Sequence, residues 1–147
     1  MIIGVLKEFN QDEKRVSATP ETVKKYKSMG LEVYVEKDAG LLSNFKDYLY
    51  KEAGSEIKAS KEEIINQCDI IILVSSIPDQ DTIDKIKDNC TIIGMFNPYE
   101  NINKLKMLET KKLNVISLDL LPRISRAQSM DVLSSQANLA GYRAVIE

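Results

Sequence analysis

Apolar residues along this chain come in short runs that switch between two periods. Ile2-Ile3-Gly4-Val5-Leu6 is a compact apolar run, and Leu31-Glu32-Val33-Tyr34-Val35-Glu36 alternates, as a strand with one buried face does. Asp69-Ile70-Ile71-Ile72-Leu73-Val74 and Thr91-Ile92-Ile93-Gly94-Met95-Phe96 are nearly continuous and rich in β-branched residues, the mark of strands buried on both faces. Asn114-Val115-Ile116-Ser117-Leu118 predicts one more strand. Helical spacing lies between these runs. Val23, Tyr26 and Met29 fall three apart on one face, with Thr19-Pro20-Glu21 as N-cap, first-turn proline and first-turn acid, and Gly30 as the stop. Further helices are predicted over 45–53, ending at Gly54, from the capping box Ser60-Lys61-Glu62-Glu63, over 81–87, over 102–111, and from Ser129 or Met130 onward.

Strand followed by helix, repeated, predicts an α/β fold: an open parallel sheet with helices on both faces, flavodoxin-like or Rossmann-like, with a long helix at its C-terminal end. The 147 residues suit one domain, 1–147. No G-x-G-x-x-G follows any strand, so the usual Gly-rich cradle for a dinucleotide is absent. The apolar pattern Leu133, Leu139, Val145, Ile146 is still running at Glu147 with no stop signal after it, which predicts a truncated chain whose last helix leads into further structure.

Charge and composition narrow the function classes. Lys plus Arg number 20 against 22 Asp plus Glu, so no basic footprint for nucleic acid exists. No apolar run approaches the roughly 18 residues of a membrane span, and the N-terminus enters a strand directly, which predicts a cytoplasmic protein. Cys68 and Cys90 are far apart and each abuts a strand, the usual setting of a buried structural thiol. Histidine is missing altogether, which excludes a histidine metal site or a His-activated nucleophile, and no metal is expected. A dehydrogenase acting on an alcohol or amine needs a proton carrier, often histidine. A reaction that moves no proton at the reacting atoms needs none.

The densest polar chemistry follows the last predicted strand, in Pro122-Arg123-Ile124-Ser125-Arg126-Ala127-Gln128-Ser129-Met130-Asp131 and on through Ser134 and Ser135 to Arg143. Ligands of open α/β sheets bind in loops at the carboxyl ends of strands. Gln128, Asp131 and Ser134 are three apart, and Arg123 lies five before Gln128, so the groups can converge at a helix start. The plainer alternative is that Ser129 caps the helix, Asp131 sits in its first turn and the arginines are solvated. Arg15, in the loop after the first strand, is a second candidate. Its guanidinium suits either a substrate carboxylate or a structural partner such as Glu8.

The stretch from Pro122 to Arg143 closely resembles the motif P-R-I-S-R-A-Q-S-x-D-x-L-S-S-x-A-N-x-A-G-Y-R in the alpha subunit of proton-translocating NAD(P) transhydrogenases. Glu13-Lys14-Arg15-Val16-Ser17-Ala18-Thr19-Pro20 is similar to an E-x-R-V-A-x-T-P element shared by transhydrogenases and alanine dehydrogenases. The resemblance covers the whole chain and only the N-terminal part of the intact subunit. It implies hydride transfer between NADH and NADP+ coupled to proton translocation, with NAD(H) held by a second, Gly-rich Rossmann domain and NADP(H) on a partner. It further implies membrane and NADP-binding subunits, a homodimer when intact, and a location peripheral to the cytoplasmic membrane. By matching position, Gln128 would hydrogen-bond the nicotinamide end, Arg123 would pair with Asp131 and move toward cofactor groups, and Ser134 would anchor Asp131 or the ring amide.

Alanine dehydrogenase is the alternative enzyme. In that family the residue matching Arg15 binds the keto acid, a lysine stands in a K-V-K-E-P segment and a histidine in an L-H-L segment. Here Ser76 occupies the lysine position within Val74-Ser75-Ser76-Ile77-Pro78, and no histidine exists, so an amine dehydrogenase would lack an evident acid or base. A non-enzymatic remnant or interaction module is the remaining class. For the chain alone, weak or absent NAD(H) binding is expected, with apolar surface where the second domain would pack.

Overall fold

A computed structural model describes residues 1–147. Six strands form one parallel sheet: β1 (Ile2–Val5), β2 (Glu32–Glu36), β3 (Glu56–Lys58), β4 (Ile70–Ile72), β5 (Thr91–Gly94) and β6 (Asn114–Ser117). Their spatial order is β3-β2-β1-β4-β5-β6, the doubly wound Rossmann order and not the flavodoxin one. The six helices are α1 (Pro20–Ser28), α2 (Asp47–Glu52), α3 (Lys61–Ile65), α4 (Gln80–Lys85), α5 (Ile102–Thr110) and α6 (Val132–Ile146). None is long and apolar enough to cross a membrane.

Strand alternation divides the core between the two faces. Ile3 and Val5 of β1, Val33 and Val35 of β2 and Ile72 of β4 pack with Val23 of α1 and Tyr50 of α2. On the other face, Ile71 and Ile92 pack with Ile64 and Ile65 of α3, Ile83 of α4 and Leu108 of α5. The predicted helices on both faces are therefore present. Gly4 shows how closely α3 approaches: a Cβ there would lie 2.5 Å from Ile64 Cγ2 and 3.0 Å from Cys68 Sγ. Both cysteines are free and buried in this layer. Burial pushes the Cys68 thiol up to about 12 and the Cys90 thiol to about 11.

Local signals explain several boundaries. Thr19 caps α1 by accepting from the Thr22 N–H at 3.2 Å, with Pro20 at the first position. Gly30 and Gly54 follow α1 and α2 with positive φ. Asp79 caps α4 through the Thr82 N–H at 2.8 Å, so this helix starts one residue earlier than its apolar spacing indicates. Ser60 stands at the N-cap of α3 but caps no backbone N–H; its hydroxyl meets Glu63 at 3.5 Å, so the capping box is formed in sequence and not in bonding. Strand β3 has no sequence expectation behind it, because three residues are too short to display a period.

The last helix corrects its predicted start. Residues Ser125–Met130 form a 3-10 segment, and α6 begins at Val132. Its cap is Asp131 and not Ser129: the carboxylate accepts from the Ser134 N–H at 2.9 Å and the Ser134 hydroxyl at 2.6 Å. No residue of α6 is buried. Edge strand β6 is similarly bare, with Val115 and Ile116 exposed, unlike β4 and β5.

Candidate functional site

In this sheet order, β1 and β4 are neighbours from which the chain proceeds in opposite directions, and the crevice beyond their carboxyl ends is the ligand position of doubly wound folds. Here the protein's own carboxylate takes the backbone donors. Glu8, just past β1, accepts three successive backbone N–H groups beyond β4: Val74 at 2.6 Å, Ser75 at 3.1 Å and Ser76 at 3.0 Å. Consecutive backbone donors of this kind form an anion nest. Ser76, buried, turns its hydroxyl to accept the Asn10 N–H at 3.1 Å, and Ser17 donates to the Ile72 carbonyl at 2.8 Å. Both loops are thus stitched shut across the switch point.

Glu8 is therefore not the partner of Arg15. That partner is Glu13, two residues away: Arg15 Nε donates to Oε1 at 2.8 Å and Nη2 to Oε2 at 2.6 Å, a bidentate fork. The Arg15 N–H and the Ser75 hydroxyl complete the shell of Glu13 at 3.0 and 3.1 Å. The Arg15 side-chain hydrogen bonds, above all, hold the Glu13 carboxyl down at about 2, against the opposing effect of its burial. Arg15 also donates from Nη1 to Gln136 Oε1 of α6 at 3.3 Å. A cleft of about 350 Å³ beside it is lined by both acids and bases, including Lys7, Lys14, Arg15, Glu8, Glu13 and Asp38. The sequence offers Glu8 as the partner; Glu13 is visible there only as the first residue of the Glu13-Lys14-Arg15 element, and Gln136 carries no signal.

The second feature lies beyond β6. Asp119 gathers the exits of β5 and β6, accepting from the Asn97 N–H and from the Ser117 hydroxyl. The chain then crosses to the 3-10 segment, which is pinned by buried Ala127. Pro122, Arg123, Ile124, Ser125, Ala127, Gln128 and Asp131 line one cleft of about 250 Å³. Arg123, Gln128 and Asp131 are thus brought together, while Ser134 stands behind Asp131 as its hydrogen-bond donor and not on the cleft wall. The Arg123–Asp131 ion pair expected from the resemblance is not formed. Asp131 instead serves the helix, and bonding from Ser134, with a smaller contribution from the Arg123 charge, lowers its pKa. A carboxamide, a guanidinium and a carboxylate on one wall offer donors of both charge states and acceptors.

The sheet order β3-β2-β1-β4-β5-β6, with Glu8 bonded to the loop beyond β4 and a polar cleft beyond β6, defines the class as a doubly wound α/β domain. The chain belongs to the family described as "Alanine dehydrogenase/PNT, N-terminal domain", whose model matches residues 4–140. It is 44% identical over its full length to the NAD(P) transhydrogenase subunit alpha of Haemophilus influenzae and covers 28% of that protein. It is 30% identical over 145 residues to the alanine dehydrogenase of Methanococcus maripaludis, covering 99% of this chain and 38% of that one. A transhydrogenase structure from Sinorhizobium meliloti superposes with a TM-score of 0.92 at 40% identity, over 99% of this chain and 43% of the other. The chain spans less than half the length of each of these relatives.

Proposed function

We propose that this chain is the N-terminal domain of an NAD(P) transhydrogenase alpha subunit and acts only with a second domain that holds NAD(H). The observation that carries the reading is the convergence of Arg123, Gln128 and Asp131 on one small cleft beyond the sheet's carboxyl edge. When bound, the nicotinamide ring supplies the hydride chemistry. The chain's own residues bind and orient: the Gln128 amide matches a carboxamide donor for acceptor, and Arg123 and Asp131 set the charge at the cleft mouth. Ser134 fixes the Asp131 carboxylate by two hydrogen bonds, so that it needs no reordering on binding. The cleft is sized for one ring and not for a whole dinucleotide, and the nest at 74–76 is taken by Glu8, which leaves the phosphates to the other domain.

In the assembled enzyme this domain presents the NADH nicotinamide to an NADP(H)-bearing partner, and the hydride transfer drives proton translocation through membrane subunits. The alpha subunits pair as a homodimer, and the domain lies at the cytoplasmic membrane surface through its partners. Alanine dehydrogenase chemistry is disfavoured by Ser76, whose buried hydroxyl holds the Asn10 N–H where that reading needs a proton carrier. The test is an NADH titration by calorimetry on this chain and on the chain joined to a Gly-rich fingerprint domain, with hydride transfer to an NADP analogue measured on the latter. Binding only by the joined protein, with Gln128→Ala slowing transfer by about tenfold or more, supports the reading. A joined protein that binds and transfers nothing overturns it.

A further inference from the structure

Helix α6 carries Asp131 at its cap and follows directly from the cleft, yet it buries none of its residues. One side-chain hydrogen bond reaches it from the body of the sheet, Arg15 Nη1 to Gln136 Oε1. Beneath that bond a cleft of about 240 Å³ separates Val132 and Gln136 from Leu73, Val74 and Leu118, so packing leaves the first turn of α6 loosely seated. The other end of the connection is firm. Glu8 locks the exit of β4, Ser75 donates from that exit to Glu13, and Glu13 grips the guanidinium with both oxygens.

We infer that Arg15 is a positioning residue: clamped by Glu13 onto the switch-point loops, it fixes the start of α6, and with it Asp131, relative to the sheet. A free carboxylate substrate would have to evict Glu13 from the fork, so Arg15 is not an open carboxylate clamp in this chain. The inference deepens the proposed function, since what is positioned is the wall of the cleft. It predicts that residues 13, 15 and 136 behave as a coupled unit, although none of them lines that cleft.

The experiment is amide exchange by NMR on the full chain without nucleotide. Arg15→Gln is expected to speed exchange at Ser134, Ser135 and Gln136 by about fivefold, the worth of one partly exposed charged hydrogen bond, with amides of β1 and β4 unchanged. Gln136→Glu turns the contact into an ion pair and is expected to slow the same amides in the natural background but not beside Arg15→Gln. That background dependence is a readout that general destabilisation does not produce. Equal effects of Gln136→Glu with and without Arg15, or unchanged α6 exchange in Arg15→Gln, overturn the inference. Because no nucleotide is present, these outcomes are independent of whether the cleft serves NADH.

Discussion

Asp131 shows how one side chain carries two duties that substitutions can separate. It caps α6 through Ser134, and it lends a charge to the cleft. Asp131→Asn retains an acceptor of comparable capping strength, so helix content should hold, whereas Asp131→Ala should loosen the helix start. Circular dichroism and amide exchange at Ser134 distinguish the two. If hydride transfer in the joined protein falls equally in both variants, the charge is what matters; if only Asp131→Ala is slow, the cap is. Glu13 gives a pH counterpart. Its carboxyl is held at about 2, below the ordinary 4.5, so the stabilisation from its fork is complete above 4.5 and disappears as pH falls through about 2. Carboxyl carbon shifts followed by NMR from pH 6 downward should show Glu13 titrating at about 2, well below the ordinary glutamate value. Cys68 and Cys90, buried with raised pKa values, should resist a thiol reagent at pH 8 in the folded protein and react on unfolding.

Elements were legible in the sequence where a physical signal was both strong and local. The β-branched runs at 70–72 and 91–94 declared two-sided burial, and Thr19 with Pro20 declared a helix start. Strand β3 was not legible, because Glu56-Ile57-Lys58 gains its state from pairing with β2. At α6, Ser129 and Asp131 compete as caps two residues apart, and Asp131 wins because Ser134 supplies two donors to its carboxylate. The cleft residues were readable from their motif, whereas the partner of Arg15 was not: Glu8 and Glu13 both precede it in the same loop, and only the pairing of β1 with β4 sends Glu8 to the N–H groups of 74–76. At Gly4 the constraint is between layers. Gly4→Ala sets a methyl carbon 2.5 Å from Ile64 and should cost about 1–3 kcal/mol in urea unfolding as α3 is pushed from the sheet.

At the scale of the whole molecule, the middle of the sheet is closely packed and the side of β6 and α6 is bare. Val115 and Ile116 on β6, then Leu133, Leu139, Tyr142, Val145 and Ile146 along α6, leave apolar area open from the sheet edge outward. Surfaces of this kind associate. Sedimentation of the chain alone should show mass rising with concentration, and Leu139→Glu with Val145→Glu should restore the monomer. Glu8 marks the closed centre of the sheet, between β1 and β4. A backbone nest that stands open draws small oxyanions from the buffer, and the bound ion then raises the melting temperature. In this protein the nest carries a tethered anion whose local concentration no buffer can match. Millimolar phosphate at constant ionic strength should therefore leave its thermal midpoint where chloride leaves it, and the fold's resistance to that ion is built into residue 8.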